Sequence, residues 1–468
     1  MNARIEEESI ASITASVPLK ETSEYTMDYI PNTDKDRAEM LSSIGLKSIE
    51  ELFKDIPGEL KPKSFSLPSG KSELEVLQYF QKLAEKNNNK QVSFLGAGFY
   101  DHFIPSAVEA ITSRSEFYTS YTPYQPEISQ GMLQALYEYQ TAISDLTGME
   151  VANASLYDGG TALYEAAKMA LRITGRKKII VGEGVNPIYR EMLSSYTKNL
   201  NLELIEIPAP KGLDDREKIK SGLDENTACL ILQNPNFFGC LDDFSDLVEF
   251  AHNKGVLVII SVYPISLGIV KSPGEMGADI VVGEGQSLGL PLSFGGPYLG
   301  FITTLKKYVR QMPGRIVGET TDKENRRGFV LTLQTREQHI RREKATSNIC
   351  SNETLCALSA LVYLSLVGKE GIKELANLCR DKSYYLLKSL SKIGIKTKFS
   401  APVFNEFVIE LPLNADTIIK RLFKKNIIAG FPLGRYYPGM ENCLLVTLTE
   451  KRSKEEIDLF AKTLEEIK

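Results

Sequence analysis

The chain has no tryptophan and only three histidines in 468 residues. Its six cysteines, Cys229, Cys240, Cys350, Cys356, Cys379 and Cys443, nowhere form Cys-x-x-Cys. With so few imidazoles to help, a zinc centre built from such spacing is not expected, and metal ligands are assigned to none of these residues. The same scatter argues against a disulfide scaffold, so reduced, mostly buried thiols of a cytoplasmic protein are expected. No run reaches the roughly 18 consecutive apolar residues of a membrane span. The N-terminal stretch carries Glu6, Glu7 and Glu8 and no apolar core, so no signal peptide is expected. A net charge of −5 without a large basic block argues against nucleic acid as a partner.

Nucleotide motifs are also missing. Gly96–Asp101 follows a strand-like run, but Asp101 stands where a dinucleotide fingerprint needs its last glycine. The two Gly-Glu-Gly turns, at Gly182 and Gly283, fail at the same place. No complete Gly-x-x-x-x-Gly-Lys-Ser/Thr loop occurs either, so a dehydrogenase or nucleotide-triphosphate reading finds little support. One further absence is local. "GEGQSLGLPLSFGGP" (283–297) has the look of a cofactor-bearing stretch in a pyridoxal-phosphate enzyme, yet it holds no lysine.

What is present describes an ordinary globular chain, 43% hydrophobic and 25% charged, long enough for two or three domains. Residues 1–65 are polar and mixed. "MLSSIGLKSIEELFKDIP" predicts two short helices joined at Gly45 and stopped by Pro57, an N-terminal arm with too little core to fold alone. "SELEVLQYFQKLAEKNNN" reads as an amphipathic helix with Leu74, Leu77, Phe80 and Leu83 on one face. "SQGMLQALYEYQTAISDLTG" predicts a long helix ended by Gly148. Short apolar runs such as "ACLILQNP", "VLVIISV" and "ADIVVGEG" then alternate with helical segments. Several are apolar on both faces, which predicts a mostly parallel sheet covered on both sides, a large α/β domain over 66–330. A helical connection over 331–390 leads to a small C-terminal α+β domain over 391–468.

Three stretches are candidates for chemistry. "YDGGTALYEAAKMALRITG" puts two glycines before a helix, where a phosphate could rest on unpaired amides. Asp158 stands at its mouth, however, and can cap those amides itself. "FYTSYTPYQPEISQG" (117–131) places Tyr118, Tyr121, Tyr124 and Gln125 in a Pro-rich loop. "TREQHIRREKATSNIC" (335–350) gathers Arg336, Arg341, Arg342 and Lys344 around His339. Taken singly, the loop reads equally as a packed turn and the basic run as a solvated face.

Taken together, "LGAGFYDH", "YTPYQPEISQG", "DGGTA", "PGEMGADIVVGEGQ", "FGGPYLGF" and "QTREQHIRREKATSNIC" resemble the glycine-cleavage P-protein family, from about residue 29 to the C-terminus. The resemblance is to the N-terminal half of the long form, which is the alpha subunit of the split form. It implies the aminotransferase-like fold type I of pyridoxal-phosphate-dependent transferases. It implies a holoenzyme that binds glycine, releases CO2 and passes an aminomethyl group to the lipoyl arm of the H protein. It implies an α2β2 tetramer. In the family's catalytic half a lysine precedes a similar Pro and Gly-rich turn, and that position falls on Gln286 here. An amide is not a nucleophile and forms no imine. The acid expected beside the pyridine nitrogen is missing from Ser261, Val262, Tyr263 and Pro264. Lys271, the nearest lysine, lies a whole strand away. The expected reading is therefore a cofactor-less structural and gating half, with pyridoxal phosphate carried by the beta subunit. The Tyr loop, with Tyr100 and His102 of "FYDHF", would wall the channel for the lipoyl arm. The basic segment would meet an acidic surface. A self-sufficient pyridoxal enzyme with an unrecognised lysine, and a purely structural partner, are the competing readings.

Overall fold

The computed structural model describes residues 32–64 and 66–467. They divide into two compact units, Met1–Asn87 and Asn88–Lys468. In the first, Thr33 and Asp36 close a capping box on the helix Asp34–Ser43, and Ser72 and Glu75 do the same for Glu73–Ala84. The second arm helix expected from sequence is a short 3-10 turn, Ile49–Phe53. No described residue of this unit is buried. Leu74, Leu77, Phe80 and Leu83 form the anticipated stripe, and all four are exposed. The first thirty-one residues, which include Glu6, Glu7 and Glu8, lie outside the described set.

The second unit opens with β1 (Val92–Ser93). The large sheet takes β2 (Val151–Ala152), β3 (Lys178–Gly182), β4 (Glu203–Ile207), β5 (Thr227–Asn234), β6 (Leu257–Val262), β7 (Ile280–Glu284) and β8 (Gly300–Thr304), in the order β2-β8-β7-β6-β5-β3-β4. All pairings from β7 to β4 are parallel, and β8 is antiparallel to both its neighbours. Alternation along each strand builds two cores. Ile179, Val181, Cys229, Ile231, Ile259 and Val282 face one, and Ile180, Leu230, Leu232, Val258, Ile260 and Val281 face the other. Helix Gly159–Thr174 covers the first face with Leu163, Ala166 and Met169. Helix Gln130–Thr147 covers the second with Leu133, Leu136, Tyr139 and Ile143. Gly148 and Gly175 end these helices in the left-handed conformation, at φ 70° and 69°, which glycine adopts without strain.

A hairpin that sequence reading did not anticipate follows, β9 (Ile316–Thr321) with β10 (Arg327–Thr332). Two glutamines of the long helix hold it by bonding strand backbone from both ends of their amides. Gln130 pairs with Phe329 N and O, and Gln140 with Val317 N and O. Helix Thr354–Lys392 is long and apolar enough by composition to cross a membrane, but Ala357, Ala360, Ile372, Ala376 and Cys379 place it in the second core. Its chain reverses to φ 62° at Gly368. The C-terminal layer pairs β11 (Lys396–Thr397), β12 (Glu406–Glu410), β15 (Cys443–Thr447) and β14 (Phe431–Pro432) in that order. β13 (Ile427–Ile428) runs parallel to β1, so Phe94 packs with Phe407, Leu422 and Phe460 in the C-terminal core.

Candidate functional site

The sheet brings the ends of β6 and β7 and the start of helix Gly159–Thr174 to one place. Gln286 lies in the turn after β7 and is 1% exposed. Its Oε1 accepts from Tyr100 N at 2.9 Å, and its Nε2 donates to Tyr100 O at 3.1 Å and Leu290 O at 2.8 Å. The amide is thus a two-sided clamp on backbone. A lysine could reproduce neither its geometry nor its acceptor.

The neighbouring acid, Glu284, accounts for the phosphate-like turn. Its Oε2 accepts from Gly159 N at 2.9 Å, the first amide of the helix, and its Oε1 accepts from Gln286 N and Leu299 N, each at 3.0 Å. Asp158 takes Thr161 N and Thr161 Oγ1, both at 2.8 Å, which is the capping role. A Cβ on Gly159 would come within 2.5 Å of Tyr189 Oη and 3.1 Å of Glu284 Cβ, and one on Gly160 within 2.5 Å of Met192 Sδ. The glycines make room for protein atoms. What remains between Tyr100, Tyr189, Ser261, Tyr263 and Glu284 is a cavity of about 30 Å³, space for about two waters. Pyridoxal phosphate does not fit these residues: the lysine and ring acid are absent, and a carboxylate already accepts the helix's leading N–H. Burial pushes Glu284 up to about 7, against its three N–H donors, with Asp158 adding to the rise.

Tyr100 and His102, expected to wall a channel, are instead interior groups. Tyr100 Oη donates to Glu406 Oε2 at 2.6 Å, and Glu406 also accepts from Ala97 N and Thr447 Oγ1. Burial and then the Glu406 charge push the Tyr100 hydroxyl well up. His102 Nδ1 meets Glu450 Oε2 at 2.6 Å, and its Nε2 meets Tyr263 Oη. Burial would raise Glu450, but the His102 hydrogen bond and charge outweigh it and hold the carboxyl below its usual range. The donor atoms of His102, Cys379 and Glu450 lie within 4.8 Å of one another. That spacing could hold a metal ion, and here His102 and Glu450 are joined by a direct hydrogen bond. Both tyrosine and histidine were read as loop residues because their partners, Glu406 and Glu450, are more than 300 positions away.

The other candidates stay at the surface, and the structure joins the two stretches that sequence singled out separately. Tyr118, Tyr121 and Tyr124 are exposed, as is Gln125. Tyr121 Oη pairs with Ser351 Oγ at 2.6 Å. Tyr124 Oη accepts from Arg315 at 3.0 Å and meets the His339 ring edge-on at 5.9 Å. Arg315 also lies over the Tyr124 ring and donates to Asn352 Oδ1 at 2.8 Å. This arginine, the hinge of the cluster, carried no sequence signal. Arg336 leaves the basic run: it is buried and donates to the carbonyls of Leu333, Met312 and Gly314, so its charge is spent inside the chain. Arg341, Arg342 and Lys344 remain exposed.

Comparison with known proteins gives the same frame. The profile of the family "Glycine cleavage system P-protein" matches residues 27–464. The chain is 59% identical over 440 residues to "Probable glycine dehydrogenase (decarboxylating) subunit 1" of Geotalea uraniireducens, covering 94% of this chain and 99% of that one. It is 55% identical over 439 residues to the like-named protein of Maridesulfovibrio salexigens, with the same coverage. A crystal structure of glycine decarboxylase (P-protein) of the glycine cleavage system, in inhibitor-bound form, superposes with a TM-score of 0.88 at 42% identity, over 94% of this chain and 100% of that one. A NifS-like protein at 14% identity and TM-score 0.61, over 81% of this chain and 99% of that one, shares the fold alone.

Proposed function

The chain belongs to the glycine cleavage system P-protein family, and on that premise we propose that it is the alpha subunit of glycine dehydrogenase (decarboxylating), the half that carries no cofactor. The enzyme it serves decarboxylates glycine. In this reading a cytoplasmic beta subunit holds the pyridoxal phosphate, which supplies the electron sink for loss of CO2, and an α2β2 assembly hands the aminomethyl group to the lipoyl H protein. The single observation that carries the proposal is Gln286, a buried amide clamped on Tyr100 and Leu290 backbone where an imine needs an amine. A carboxylate seated on Gly159 N, beside an amide at 286, leaves neither the charge nor the space for a phosphate.

This chain's own contribution then lies at its surface. The face formed by Tyr118, Tyr121, Tyr124, Gln125 and His339 would border the path of the lipoyl arm, with Arg315 fixing the Tyr124 ring. Exposed Arg341, Arg342 and Lys344 would meet acidic groups of a partner.

The test is coexpression with the beta subunit and assay of each chain and of the mixture. The alpha chain alone should be colourless and inactive, and the mixture should bind pyridoxal phosphate and exchange glycine carboxyl with CO2. An imine band in the isolated chain, fixed by borohydride, would sink the proposal.

A further inference from the structure

A helix of 16 residues begins at Gly159 with its leading amide bonded to a carboxylate from another element. Glu284 is 6% exposed and belongs to none of the ion pairs among the described residues. Its oxygens are instead divided among three backbone N–H groups, Gly159, Gln286 and Leu299. Backbone N–H groups converging at a helix start, without a cation, are the arrangement that binds an oxyanion. Gly159 leaves room for this close approach: a Cβ there would come within 3.1 Å of Glu284 Cβ and 2.5 Å of Tyr189 Oη. We propose that Glu284 is a built-in anion that occupies a phosphate-binding cradle, and that removing its carboxylate opens a site for inorganic phosphate or a phosphate monoester.

The inference rests on the reading that this chain carries no pyridoxal phosphate, and it adds the group responsible. Loss of an external dianion would leave Gly159, Gln286 and Leu299 N–H groups buried and unpaired, which is costly. One side chain, two positions before the vanished lysine, satisfies all three. Asp158 is a separate device, since it caps Thr161 and leaves Gly159 N to Glu284. The electrostatics agree: burial and then the Glu284 charge both push up the hydroxyl of Tyr139, whose buried Oη has no hydrogen-bond partner.

The experiment compares the full chain with Glu284→Ala and Glu284→Gln at about pH 8, where the acid is ionised. Chemical unfolding is measured against inorganic phosphate at constant ionic strength, and binding is followed by titration calorimetry. The parent should respond to phosphate only through general salting. Glu284→Ala should bind phosphate saturably, and at about 100 times the dissociation constant its unfolding constant should fall about 100-fold. A folded Glu284→Ala with no more phosphate response than the parent overturns the proposal. Glu284→Gln serves if the alanine variant does not fold. Its amide turns N–H toward N–H, so its unfolding constant should rise at least about tenfold, and parental stability would overturn the proposal as well. These failures leave the subunit reading intact. That reading fails separately, if the parent chain itself holds pyridoxal phosphate as an imine.

Discussion

Replacing Gln286 by leucine keeps most of the side-chain volume and removes three hydrogen bonds at once, to Tyr100 N, Tyr100 O and Leu290 O. Position 286 is sealed from solvent, so water cannot take over. An orphaned buried N–H costs about 1–3 kcal/mol, and two carbonyls that lose a donor add about 0.5–1.5 kcal/mol each. Burying leucine in place of the amide returns about 1 kcal/mol. The balance is a destabilisation of about 3 kcal/mol, more than 100-fold in the unfolding constant. Urea titration of the full chain, with the slope required to match the parent, reads this directly. Gln286→Glu supplies the control, since it keeps the acceptor for Tyr100 N, loses both donors and buries a second acid beside Glu284. A loss below about 0.5 kcal/mol for Gln286→Leu, the range of an inert surface change, would refute the clamp. It would leave no structural reason for an amide at this position.

Gln286→Lys, mixed with pyridoxal phosphate, reduced with borohydride and freed of unbound cofactor, should retain no more pyridoxyl absorbance than the parent chain, because Glu284 still bonds Gly159 N and the cavity is about 30 Å³. Burial pushes Asp214 up to about 7 against the N–H it accepts from Gly184. The native chain therefore holds a proton that the unfolded chain releases near pH 4. Its stability is full below that and is lost as pH rises through about 7, by on the order of 4 kcal/mol; Asp214→Asn should flatten this part of the pH–stability curve. Tyr121→Ala with Tyr124→Ala should weaken glycine–CO2 exchange or H-protein binding in the assembled complex, and parental values for both would remove the channel-wall reading. Charge reversal at Arg341 and Arg342 should reduce association, with a smaller salt dependence than the parent; indifference to both charges would make this run a solvated face.

Sequence reading succeeded where the signal is local. Gly148 and Gly175 end their helices as expected because a left-handed residue after a periodic apolar run is a short-range feature. The both-sides-apolar strands predicted a covered parallel sheet for the same reason. Pairing across the chain was not legible. β1 belongs to the C-terminal core because Val92 and Ser93 run alongside Ile427 and Ile428, and nothing near residue 92 announces that. The β9–β10 hairpin carries alternation and a turn held by Asp322, a signal that was present and went unread. At the site, the resemblance drew attention to Gln286, an amide that is no nucleophile. It did not reveal the partner of the helix's leading amide, since Glu284 meets Gly159 across 125 positions. Tyr100 and His102 sat in a short polar stretch that looked exposed, and only their distant carboxylates explain their burial.

The interior beside the cavity at Glu284 is polar, although the chain could have filled it with hydrocarbon. Glu284 lines that cavity, and buried Glu406 and half-buried Glu450 bond Tyr100 and His102 beside it, each met by donors at good distances. Removing one member of such a network strands the rest, so a stepwise change from polar to apolar passes through costly intermediates. With the Glu284 carboxylate in place, the Gly159, Gln286 and Leu299 amides each have a partner. The consequence is rigidity. Gln286 and Glu284 are tied to backbone in the segment between β7 and β8, on the Gly159 helix and at Tyr100, and Tyr100 is tied in turn to Glu406. A locked interior holds the surface elements in fixed register but cannot itself meet a substrate. Tyr121, Tyr124 and His339, by contrast, lie exposed at the surface, outside that network.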